Sequence, residues 1–266
     1  MPRNLYQRIY LAPHLDDAAL SCGGRIFLER QAGLGVLVIT VMAGDAPPET
    51  KDLPTPIIAD LHTRWELENN SNPVSVRRDE DREALAILGA DVIHWEWPEC
   101  VYRRDPRTQA YMYPTEASLW DLVHPGDQVL IAQLTQRLTS LPLSLDGWLY
   151  VPLTVGNHVD HHIVRQAAEK SEPSLERLAF FEEYPYAEQP EALALVIGDG
   201  GEWVEEIIPI TLEALDAKAA AVASYHSQIS TFYNGTEEIA VRLQAYAAVA
   251  GGGRCCAERY WRRRKR

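Results

Sequence analysis

Arg8-Ile9-Tyr10-Leu11-Ala12-Pro13-His14-Leu15-Asp16-Asp17 and, further on, Gly35-Val36-Leu37-Val38-Ile39-Thr40-Val41-Met42 are the stretches whose reading decides the fold. The first opens on a short β-rich run that Pro13 stops, and it reads as a strand. From Asp17 to Ala32 the apolar residues Ala18, Leu20, Ile26 and Phe27 predict a helix, interrupted at Gly23-Gly24 and closed by Gly33. The second stretch is continuously aliphatic. Such a strand is buried on both faces, as in a parallel sheet covered by helices. The opening is therefore a βαβ unit. It lacks a Gly-x-Gly-x-x-Gly turn, so nothing in it asks for a dinucleotide.

The same alternation continues along the chain. Residues 76–89 form an amphipathic helix with a glycine stop, and 91–95 the next strand. Further helices are predicted at 128–138, 161–170 and 212–225, with strands at 148–151, 177–184 and 203–208. This is an α/β chain with a mostly parallel sheet and helices on both faces, expected as a single domain over 1–266. Two long irregular stretches, 45–75 and 96–113, read as functional loops that shape a substrate site. The basic tail at 260–266, which continues from Arg259, reads as a solvated, fraying terminus.

Composition narrows the function. A formal charge of −13 argues against a nucleic-acid-binding body. No apolar run approaches the ~20 residues of a membrane span, and no signal peptide is evident. Cys22, Cys100, Cys255 and Cys256 make no Cys-x-x-Cys pattern, which points to a reducing compartment and so to the cytoplasm. The sequence is compatible with a homo-oligomer.

Chemistry concentrates in two clusters, Pro13-His14-Leu15-Asp16-Asp17 and His158-Val159-Asp160-His161-His162. Imidazole and carboxylate are ligands for a divalent, borderline-soft metal such as zinc, with Fe2+, Co2+ or Ni2+ as alternatives. Each cluster holds one acid more than ligation requires, and hydrolysis needs a group that takes a proton from water. Each cluster alone also reads as a polar helix start, since Asp caps helices well. Both, however, follow predicted strands, and in open parallel sheets ligands bind beyond the carboxyl ends of the strands. They belong at one sheet edge.

With these residues the sequence resembles the LmbE-like or PIG-L family of zinc-dependent deacetylases. Gly23-Gly24, the run from Arg77 to Gly89, Lys218 with Tyr225-His226-Ser227-Gln228, and Ala257-Glu258-Arg259 support the resemblance in order along nearly the whole chain. It implies a Rossmann-like scaffold and removal of an acetyl group from an N-acetylated amino sugar or glycoconjugate, a small-molecule substrate. By position it implies His14, Asp17 and His161 as metal ligands and Asp16 as general base. It also implies that His158 stabilises the oxyanion or protonates the leaving amine, with Asp160 orienting its ring. Alternatives are an amidase on a larger N-acyl or thiol-sugar conjugate, and an inactive metal-bound sugar-binding protein. Two positions depart from the family pattern: Ala18 stands where a Glu is common, and Gly156 where some members carry a Tyr. Tyr102, Tyr111 and Tyr113 are candidates for the missing donor. Arg77, Arg78, Trp65 and Trp97 are candidate substrate contacts, and Trp95, on a strand, is expected in the core.

Overall fold

A computed structural model covers residues 5–50, 54–65, 72–172 and 175–264. In chain order the elements are β1 (Tyr6–Ala12), α1 (Asp17–Gln31), β2 (Val36–Thr40), α2 (Pro56–Arg64), α3 (Pro73–Ile87), β3 (Asp91–His94), α4 (Glu116–Leu119) and α5 (Gln128–Leu138). There follow β4 (Leu143–Pro152), α6 (Val159–Ser171), β5 (Leu178–Phe181), α7 (Pro190–Ile197), β6 (Trp203–Pro209), α8 (Leu212–Ala223), α9 (His226–Phe232), α10 (Thr236–Ala250) and β7 (Ala257–Arg263). The strands form one seven-stranded sheet in the order β3-β2-β1-β4-β5-β7-β6. β1, β2, β3, β4 and β5 pair in parallel, and β7 pairs antiparallel with β5 and β6.

The aliphatic strands divide their side chains between two layers, as a two-residue period demands. Tyr10, Val36 and Val38 pack with residues of α1, α8 and α10 on one face, while Ile9, Leu11, Leu37 and Ile39 pack with α5 and α6 on the other. The expected α/β sheet with helices on both faces is what the chain forms.

Several local expectations are corrected. α1 is not interrupted at Gly23-Gly24; the glycines are there for packing. A Cβ on Gly23 would sit 2.9 Å from Lys218 Cγ of α8, and one on Gly24 would sit 3.0 Å from Ile210 Cδ1 and 3.1 Å from Glu258 Oε1 of β7. The stretch 45–75 is not irregular throughout. Thr55 caps α2 through its side chain, and Pro56 supplies a preset first turn; residues 51–53 and 66–71 of that stretch lie outside the described residues. α3 starts at Pro73, capped by Asn72. The basic tail does not fray as far as it is described: Ala257–Arg263 is an interior strand, and only 265–266 fall outside the described residues. The arginines of that strand are paired with acids across the sheet, Arg259 with Glu182 and Glu205, Arg262 with Glu206 and Arg263 with Glu202.

A third apolar cluster seats the two long loops. Ile57 and Ile58 of α2, with Val101, Tyr102 and Tyr113 of the second loop, pack on Leu15 and Val159. Leu15 and Val159 are both fully buried, and burying each contributes about 1.5–3 kcal/mol. They sit inside the two His/Asp clusters, so the loops are clamped beside the chemistry.

Candidate active site

The site lies beyond the carboxyl ends of β1, β4 and β5. Pro13 ends β1, and the chain turns through His14 to Asp17 into α1. Asp16 occupies the helix N-cap position, yet its carboxylate makes no capping hydrogen bond. It is buried. α6 is capped by an imidazole: His158 Nδ1 accepts the backbone N–H of Asp160 at 3.2 Å. His161 follows one turn on.

Two of the histidines have the same construction. His14 donates Nε2–H to Asp160 Oδ2 at 3.0 Å and turns Nδ1 toward Asp17 Oδ2, 3.4 Å away. His161 donates Nδ1–H to Glu183 Oε1 at 3.1 Å and turns Nε2 toward the same Asp17 oxygen, also 3.4 Å away. His161 Nε2 is buried with no hydrogen-bond partner. Each imidazole is thus anchored to a buried carboxylate through one nitrogen, and the other nitrogen is left for a shared ligand. His14, His158 and His161 offer nitrogens within 4.8 Å of one another, and Cys100, His158 and Asp160 form a second such group. His158 fits a ligand role less well, because its Nδ1 is used by the helix cap. With Nδ1 accepting, the neutral ring carries its proton on Nε2, 4.0 Å from Cys100 Sγ.

Electrostatics separate the two aspartates. Burial, reinforced by the neighbouring Asp17, pushes the Asp16 carboxyl well above the usual range, against the pull of Arg77 4.0 Å away. Asp17 is buried too, but His161 and His14 overcome that and hold it down at about 2. Burial keeps His158 well below an ordinary imidazole and therefore neutral.

Asp160 differs from the expected geometry. Its carboxylate does not orient His158; only its backbone N–H does. Oδ2 takes His14 and the Cys100 N–H at 2.9 Å, and Oδ1 takes Arg103 Nη1 at 2.7 Å. The side chain points across the sheet edge to β1 because the helix cap turns it away from the ring that precedes it. Arg103 is itself gripped by Asp127 at 3.0 and 2.8 Å.

The other expected residues have partners of their own. Arg77 is buried, ion-paired with Glu99, and lies 4.6 Å over the ring of the buried Trp65. Arg78 holds Asp45 and the Ala43 carbonyl, both at 2.8 Å. Trp97 packs on Trp95 and Arg137 beside the α5 face. Tyr102 bonds His62, Tyr113 bonds Asp127, and the Tyr111 ring lies beneath Arg104. Ala18 faces the apolar core, where a Glu would be buried.

Glu183, Arg103, Trp120 and Tyr186 are not found by the sequence argument. Glu183 had a readable signal, since Glu182-Glu183 directly follow an apolar strand, at the place where the first cluster follows β1. Its carboxylate also accepts the N–H groups of Thr154 and Val155. The other three lie in irregular segments with no period to read.

This chain has clear likenesses. The 2'-N-acetylparomamine deacetylase of Niallia circulans is 26% identical over 191 residues, 68% of this chain and 68% of that one. A deacetylase of the teicoplanin biosynthesis pathway has a similar solved structure, with a TM-score of 0.79 and 26% identity over 97% of this chain and 98% of that one. The zinc-inhibited form of teicoplanin deacetylase Orf2 gives the same TM-score and coverage at 24% identity, a likeness of fold. The PIG-L family model, described as GlcNAc-PI de-N-acetylase, matches residues 9–171, a span containing both His/Asp clusters. The chain belongs to the PIG-L family.

Proposed function

We propose that this protein is a metal-dependent hydrolase that removes the acetyl group from an N-acetylated amino sugar or glycoconjugate. The supporting observation is the pair of carboxylate-anchored histidines whose free nitrogens meet at Asp17. Two imidazoles and a carboxylate suit a catalytic zinc with a position left open. We assign His14, Asp17 and His161 as ligands and zinc as the metal, because a borderline-soft divalent ion accepts imidazole and carboxylate together. A divalent cation bound there supplies Lewis-acid polarisation of the amide carbonyl and makes a water acidic.

The remaining steps belong to this chain's side chains. Asp16, raised by burial and spared from capping, accepts the water proton as the C–O bond forms. His158 donates a hydrogen bond from Nε2–H to the oxyanion, which suits a ring held neutral. The proton on Asp16 then passes to the amine as the C–N bond breaks, giving acetate and a free amino sugar. Asp160 acts through His14 and is a positioning residue. The four cysteines are free, which fits the reducing cytoplasm we assign.

The test is acetate release from a panel of N-acetyl amino sugars by the zinc-loaded protein and its Asp16→Asn variant. Loss of the base should cost 10²- to 10⁴-fold in kcat, with one zinc still bound per chain; His161→Ala should lose both zinc and activity. Full activity in Asp16→Asn, or no acetate from any N-acetyl amino sugar with zinc bound, sinks the reading.

A further inference from the structure

Two aromatic rings border the histidines. Trp120, half-buried after α4, meets His158 edge-on with ring centroids 5.0 Å apart. Tyr186, half-buried, meets His161 at 6.2 Å and Trp120 at 5.5 Å, the two aromatic planes 68° apart. The rings thus make a corner over the two histidines, apolar along its walls and polar at one tip.

The loop joining β4 to α6 builds this corner at a conformational cost. Thr154, Gly156 and Asn157 all have left-handed backbones, with φ of 69°, 86° and 66°. For the two non-glycine residues this costs roughly 1–2 kcal/mol each. Gly156 cannot be otherwise, because a Cβ would lie 2.6 Å from the Tyr186 ring. Asn157 bonds the Trp120 carbonyl through Nδ2 and His162 through Oδ1. Glu183 takes the Thr154 N–H, and Arg165 donates to the Thr154 hydroxyl at 3.1 Å. A strained loop between two site elements, gripping one ring and making room for the other, is a feature of functional sites.

We infer that Trp120 and Tyr186 form the subsite for the pyranose ring that carries the acetamido group, in place of Trp65, which lies under Arg77, and Trp97, which packs on Trp95. The inference rests on the deacetylase reading above and adds the sugar contact. A pyranose has apolar C–H faces and a hydroxyl edge, matching a corner of two ring walls with a phenol tip. A substrate with the acetamide but no ring gains nothing from it.

The experiment compares kcat/KM of the zinc-loaded protein for methyl N-acetyl-β-glucosaminide and for acyclic N-acetylethanolamine. Trp120→Leu should lower the pyranoside-to-acyclic ratio about tenfold, mostly through KM, and Trp120→Phe should restore most of it. Tyr186→Phe should lower it two- to fivefold. Equal losses on both substrates would make Trp120 merely a support for His158 and overturn the inference, as would a Phe variant no better than Leu. A turnover-independent arm measures pyranoside binding to Asp16→Asn by ligand-observed NMR. There Trp120→Leu should raise Kd about tenfold, and an unchanged Kd overturns the subsite even where the deacetylase reading fails.

Discussion

Replacing Glu183 by Gln tests whether this buried carboxylate serves the metal site or only its loop. Glu183 is fully buried, and its two oxygens accept three N–H groups: Oε1 from Thr154 at 2.6 Å and His161 Nδ1 at 3.1 Å, Oε2 from Val155 at 3.0 Å. A glutamine of the same shape can keep its oxygen at the Oε1 place, but its amide nitrogen then faces the Val155 N–H. That bond is lost, about 1.5–3 kcal/mol for one to a charged group, and the other two weaken to neutral bonds. Burial pushes the Glu183 carboxyl above the usual range, so removing the charge recovers part of this. The net cost should be about 2 kcal/mol, read as a lower urea midpoint of the metal-free protein. The His161 ring would also lose its anionic anchor, and such losses typically lower metal affinity 10- to 100-fold. Zinc affinity by chelator competition is the deciding measurement. Reduced stability with zinc bound as tightly as in the parent would show that Glu183 braces the 154–157 loop and nothing more.

Arg103→Met should act on His14 in the same manner. Asp160 would lose the guanidinium on Oδ1 and be left as a buried, half-satisfied carboxylate, costing about 3–5 kcal/mol, and zinc affinity should fall at least tenfold by the same competition assay; unchanged zinc affinity would refute the anchoring role. Remote from the site, Lys218 and Glu258 pair at 2.7 Å, both buried, and Glu258 also accepts the Gly24 and Arg25 N–H groups. Lys218→Met should destabilise by about 3 kcal/mol, and adding Glu258→Gln should recover part of the loss. A double-mutant cycle in urea with no coupling would contradict the pairing.

Local periodicity made the βαβ opening, the long helices and most strands legible. An all-aliphatic strand such as β2 can only be buried on both faces, so 36–40 already implied helices on each side of a parallel sheet. The strand-end rule carried the two His/Asp clusters to one edge, because each follows its strand within a few residues. β7 escaped this reading. Its arginines look like a solvated tail until Glu182, Glu205 and Glu206, more than fifty residues away in the chain, are brought opposite them.

What each cluster member does was divided between the two levels. The turn after β1 and the spacing of His158 and His161 are short-range, so ligand types and a spare acid could be read from residue order. Which carboxylate anchors which imidazole could not. Asp160 stands two residues from His158 yet serves His14, 146 positions away, because the α6 cap aims its carboxylate across the sheet edge. Arg103 and Trp120 reach the site from the segment between β3 and α5, which the third apolar cluster seats, and Glu183 and Tyr186 from the one loop after β5, against the left-handed backbone at 154, 156 and 157. Hydrogen bonds across such separations exist only once the chain has closed, and no residue pattern along the sequence encodes them.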